Sequence, residues 1–72
     1  MNTIAFSNMV RLLTDMPALW LCRGEVGVVR SLWFSPIAAY EVEFHLHGQP
    51  SAIRALLFPE QLEVIEQPAA QQ

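Results

Sequence analysis

A small all-β domain of short strands is the fold class that the sequence predicts, and three observations predict it. Strict alternation of apolar and polar side chains runs through residues 39–46, the signature of a half-buried strand. A proline- and glycine-containing turn, His47-Gly48-Gln49-Pro50, follows directly, and residues 51–58 then offer a return strand that completes a hairpin. Upstream, two glycines lead into the β-branched run Val28-Val29.

In chain order, residues 1–8 mix polar and apolar side chains without a sustained period and read as a leader. The first strand is expected over residues 9–14. It ends at Asp15-Met16-Pro17, where an aspartate able to accept bonds from the following backbone and a proline of fixed φ favour a chain reversal. The loop over residues 15–23 is unusual, because Ala18-Leu19-Trp20-Leu21-Cys22 is almost wholly apolar where loops are normally polar. Such a segment has to lie over the core or touch a partner. Gly24 and Gly27 bracket Glu25-Val26 and supply positions for positive φ or for the close approach of another strand. Strand two is expected over residues 26–33, stopped by Ser35-Pro36.

Strand three carries the clearest pattern, with Tyr40, Val42, Phe44 and Leu46 on one face and Glu41, Glu43 and His45 on the other. In the return strand Ile53, Ala55 and Leu57 share the inward face; Ala, Arg and Leu also favour helix, which leaves a helix as the alternative for residues 51–57. Pro59-Glu60-Gln61 starts a single helical turn, Leu62-Glu63-Val64-Ile65 makes a short last strand, and residues 67–72 read as a disordered tail. One domain over residues 9–66 follows, since 72 residues leave room for one core only.

Hydrophobic residues make up 53% of the chain and charged residues 15%, against about 25% charged in an average soluble domain. A core this small does not absorb every apolar side chain, so an apolar contact patch is expected at the surface. All four basic residues are arginines, Arg11, Arg23, Arg30 and Arg54, and they face seven acids, for a net charge of −3. Four scattered arginines neutralise few phosphates, which disfavours nucleic acid as a partner. Cys22 is the lone cysteine, so no intrachain disulfide forms, and a cytoplasmic location is the expectation. No basic n-region precedes an apolar stretch near the N-terminus, and no apolar run approaches the ~20 residues of a membrane span, so no membrane insertion is expected.

Four blocks carry a resemblance: Leu12-Leu13-Thr14-Asp15-Met16-Pro17, Arg23-Gly24-Glu25-Val26-Gly27-Val28-Val29, Ala39-Tyr40-Glu41-Val42-Glu43-Phe44 and Pro59-Glu60-Gln61-Leu62. In order and spacing, over residues 9–65, they resemble a family of small uncharacterised bacterial proteins, common in cyanobacteria, with an SH3-like fold. The resemblance implies a five-stranded SH3-like barrel with a one-turn helix before the last strand. It implies no activity; some members sit beside toxin-like partners, which implies an antitoxin or immunity role. Trp20, Cys22 and Trp33-Phe34 depart from the family pattern and mark where this chain's own partner would bind. A weaker likeness, through Gly24, Gly27 and Val29, is to barrel modules of ribosomal proteins and elongation factors, whose basic RNA-contacting loops this chain lacks.

A non-enzymatic protein-binding module is therefore expected, with the antitoxin-type neutralising role that the resemblance implies, and with a small accessory subunit of a larger complex, photosynthetic for example, and an RNA-binding barrel as the alternatives. The residues assigned to partner binding are Leu19, Trp20, Leu21, Arg23, Trp33, Phe34, Glu41 and Glu43. The aromatics supply interface energy, Arg23 suits carboxylates, and Glu41 and Glu43 on a wet strand face suit a basic partner. A homodimer would hide the same apolar patch. Glu43, His45 and His47 alternate along a strand, as metal ligands can, but zinc needs a further ligand in most sites, and Cys22 supplies a thiolate only if the fold brings it close, so no metal or cofactor is expected. Ser31, Ser35, Ser51 and Cys22 lack a nucleophile motif, and no catalytic residue is assigned. Cys22 is read as a small buried hydrophobe.

Overall fold

A computed structural model describes residues 4–66, with Glu66 described by its backbone alone. The tail expected over residues 67–72 and the first three residues of the leader lie outside the described residues. Five antiparallel strands form one sheet: β1 (Met9–Leu12), β2 (Val26–Trp33), β3 (Ala39–Phe44), β4 (Ile53–Leu57) and β5 (Leu62–Glu66), in the order β4-β3-β2-β1-β5. Two 3-10 turns, Pro17–Leu19 and Pro59–Gln61, are the helical elements among the described residues. The protein is all-β, and residues 51–57 are not helical. The sheet is open: no ladder joins β4 to β5 among the described residues.

The alternation in β3 sets the layout. Tyr40, Val42 and Phe44 turn inward and join Val10, Leu12, Leu21, Val29, Ala55, Leu57 and Leu62 in one core cluster drawn from all five strands. Strand β4 runs against β3 in unbroken register from Tyr40↔Leu57 to Phe44↔Ile53, which puts Ala55 and Leu57 on the same inner face. On β2 the register shifts between Val29 and Ser31, leaving Arg30 as an extra residue that pushes its side chain onto the outer face.

Both glycines of the bracket are used, in different ways. Gly24 has φ of 98° at the third position of the turn Cys22–Glu25, where the Glu25 N–H donates to the Cys22 carbonyl. Gly27 pairs with Val10 on one side and Phe44 on the other, at a crossing with no room for a side chain. At the β3–β4 turn Gly48 takes φ of 81°, with the Gln49 N–H donating to the Leu46 carbonyl.

The segment read as a leader is partly built into the fold. Ile4 packs on the core, the Ser7 N–H donates to the Val29 carbonyl and the Val29 N–H to the Asn8 carbonyl, which continues the β1–β2 pairing backwards. Asn8 is buried, and its Oδ1 accepts the Ala5 N–H at 2.7 Å, clamping the turn in which Ser7 has φ of 68°. Replacing Asn8 by Ala removes that acceptor from a buried site, so a loss of about 1–3 kcal/mol is expected in denaturant unfolding. An unchanged midpoint would show that the clamp carries no stability.

Candidate functional site

The apolar loop closes on itself. Met16 and Leu21 exchange both backbone hydrogen bonds, at 2.8 and 3.2 Å, and between them Pro17 starts a 3-10 turn with its φ already fixed. The Leu19 N–H donates to the Met16 carbonyl and the Trp20 N–H to the Pro17 carbonyl. Trp20 ends the turn in the left-handed region, φ 62° and ψ 29°. That conformation flips the chain, so Leu19 and Leu21 point inward while the indole between them is 82% exposed. Asp15 steadies the following turn by accepting the Arg23 N–H at 2.7 Å.

Left-handed backbone costs a residue with a Cβ about 1–2 kcal/mol, and a bulky side chain there is an outlier. Trp20 accepts that strain without burying its ring. Grooves flank it on two sides, one lined by Asp15, Pro17, Leu21 and Cys22, the other by Leu46, His47, Gln49 and Ile53. The indole is thus a knob standing between two shallow, mainly apolar depressions.

Of the loop residues assigned to partner binding, Trp20 and Arg23 are exposed, but Leu21 is only 1% exposed and belongs to the core, and Leu19 packs against that core. Cys22 corrects another expectation: it is exposed, because the inward positions of this short loop are taken by Leu19 and Leu21.

Trp33 and Phe34 are also exposed, but at the other end of the sheet. Trp33 pairs with Ala39 at the start of β3, whereas Trp20 sits near Leu46 just beyond its end. At ~3.4 Å per residue that separation exceeds 20 Å, so the two aromatic sites form separate surfaces. Phe34 rests edge-on against Tyr40, with ring centroids 6.5 Å apart. The sequence reading missed three exposed apolar neighbours of this second surface, Ile37, Leu56 and Phe58. Their positions in a turn, on the outer face of β4 and just past its end are the signal that identifies them.

Glu41 and Glu43 are on the outer face but are not free. Glu43 Oε1 accepts from Arg30 Nε at 2.8 Å and lies 3.8 Å from Arg54, while its Oε2 is 3.3 Å from His45. Glu41 accepts the Ser31 hydroxyl at 2.8 Å and lies 3.9 Å from Arg54. Two carboxylates facing two arginines leave no surplus charge, so the acidic strand face expected from the sequence is a balanced ladder. The bulge at Arg30, invisible in the alternation, supplies its central contact.

The Arg30 hydrogen bond, aided by Arg54 and His45 and opposed by partial desolvation, holds the Glu43 carboxyl below the ordinary glutamate value. Its contribution to stability is therefore complete above the pKa of the unfolded glutamate and is lost as pH falls through the lower folded value. Arg30→Gln is expected to raise the Glu43 carboxyl pKa in an NMR titration and to flatten the acid limb of the stability profile. An unmoved titration would contradict the assignment.

His45 and Glu43 are adjacent, but no group of three metal-ligating side chains comes together among the described residues. The described hydrogen bonds join neither histidine to a serine hydroxyl or to the Cys22 thiol. No helix among the described residues is long and apolar enough to cross a membrane. Comparison with protein-family models, with curated proteins and with solved structures returns no match for this chain.

Proposed function

We propose that this chain is a non-enzymatic protein-binding module on an SH3-like barrel, with Trp20 as its principal anchor. The observation that carries the reading is the strained, outward Trp20. Backbone strain persists only where surrounding structure over-determines it, and it concentrates at binding and switching sites. Tryptophan is also the residue type most enriched at interface hot spots. Arg23, exposed three residues further along the chain and in no ion pair among the described residues, offers a guanidinium to a carboxylate of the partner.

The barrel reading is supported by the strand order, by the 3-10 turn between β4 and β5, and by a single core fed by all five strands. With no covering helix among the described residues, a lone sheet buries one face by curling on itself. An antitoxin-like role, implied by the family resemblance, is one form of this function; the accessory-subunit reading uses the same knob.

Affinity capture of the tagged chain from its host, with and without nuclease and beside a Trp20→Ala bait, tests the proposal. A nuclease-resistant protein retained by the wild type and lost by Trp20→Ala is the expected result. A small equimolar pair would mark a neutraliser, and a large assembly an accessory subunit. Retention by both baits, or loss of all material on nuclease treatment, would overturn the reading.

A further inference from the structure

Strand β4 ends the sheet, and apart from its ladder with β3 no backbone hydrogen bond involves Ile53–Leu57 among the described residues. Its outward N–H and C=O groups are therefore a template for another strand. The usual protections are missing. Ile53-Arg54-Ala55-Leu56-Leu57 holds no proline and no lysine, its register with β3 is unbroken, and its one charge is drawn back towards Glu41 and Glu43. The opposite edge differs: β5 carries the exposed Glu63 and a register shift against β1 near Met9. One edge is guarded and the other is open.

We propose that a second copy of this chain occupies the β4 edge, joining the two sheets antiparallel about a two-fold axis at Leu56. Three symmetric registers use this strand. Pairing about Arg54 sets two arginines opposite each other, a like-charge pair that destabilises. Pairing about Ala55 sets each Arg54 against the partner's Leu56 and the two small Ala55 side chains against each other. Pairing about Leu56 sets Leu56 against the partner's Leu56, Leu57 against the partner's small Ala55 on the inner face, and the aliphatic stem of Arg54 beside the partner's Phe58, leaving the guanidinium with Glu41 and Glu43.

This last register also removes the most exposed apolar area. Leu56 is 59% exposed on the outer face of β4, and Phe58, 40% exposed, follows the last residue of the strand, where its N–H donates to Gln61 Oε1 and its side chain alone is left for the contact. Trp33 shares a shallow groove with Leu56 and Arg54, so the two outer apolar patches become continuous across the axis. Trp20, at the far end of β3, stays outside the dimer contact.

Sedimentation over a concentration series tests this, with Leu56→Lys as the disrupting variant at an exposed position. The wild type is expected to double its mass as concentration rises, Leu56→Lys to remain monomeric and to melt as the wild type does at concentrations where the wild type is itself monomeric, and Trp20→Ala to dimerise as the wild type does. Register is read separately in a Cys22→Ser background. Leu56→Cys is expected to form a covalent dimer on mild oxidation and Arg54→Cys not, because facing residues in an antiparallel pair lie ~4.5–5.5 Å apart, within disulfide reach. A wild type that is monomeric throughout, a dimer that survives Leu56→Lys, or a dimer that Leu56→Cys fails to trap would each overturn the proposal.

Discussion

Gly27→Ala should unfold this protein far more readily than any exposed substitution. A Cβ at Gly27 would stand 2.7 Å from Val42 Cγ1, 2.8 Å from the Glu43 carbonyl oxygen and 2.9 Å from Phe44 Cδ1. Two of these atoms belong to fully buried core side chains and the third to backbone held in the β2–β3 ladder, so no flexible group is free to yield. Overpacking of this kind costs about 1–3 kcal/mol, and the backbone contact argues for the upper part of that range. A chain of 72 residues has little stability to spare. Gly24→Ala is the instructive comparison: its Cβ meets nothing within 4 Å, yet its φ of 98° resists any side chain. The first variant fails by collision and the second by backbone strain. A melting temperature for Gly27→Ala within a degree or two of wild type would show that β2 and β3 move apart more easily than the packing implies.

The second large effect concerns Trp20, whose replacement should separate binding from stability. Trp20→Gly removes the indole and relaxes the left-handed turn, recovering about 1–2 kcal/mol of strain against an entropic cost of about 0.5–1 kcal/mol. Melting should therefore be unchanged or higher, while the loss of an interface hot spot of about 2 kcal/mol or more lowers partner affinity at least ~30-fold. Leu21→Ala should behave in the opposite way. That side chain is buried in the core, and its truncation costs about 2–5 kcal/mol of stability.

Adjacent residues with opposite fates show where the sequence was legible. Alternation along β3 and β4 named the inward residues because the period of a strand is two and one face is wet. The double role expected of the glycines was met one residue at a time, Gly24 by positive φ and Gly27 by close approach. The apolar loop had no such period. Which of Leu19, Trp20 and Leu21 turns outward is decided by a 3-10 turn and one left-handed residue, and five consecutive apolar or near-apolar letters do not encode that choice. The bulge at Arg30 was equally hidden. By inserting one residue into β2, it brings a guanidinium to Glu43 and turns an apparently acidic face into a neutral one. Asn8 looked like part of a loose leader because its partner, the Ala5 N–H, is a local backbone group with no sequence signature.

In the proposed function, the strain at Trp20 is kept for the sake of a partner. The most direct test is the affinity of Trp20→Gly for the protein captured by the wild type, measured alongside the thermal unfolding of both chains. At least a ~30-fold loss of affinity with melting equal to or above wild type is the predicted result. Undiminished affinity, or a variant that melts well below the wild type, would contradict it and return Trp20 to a structural role.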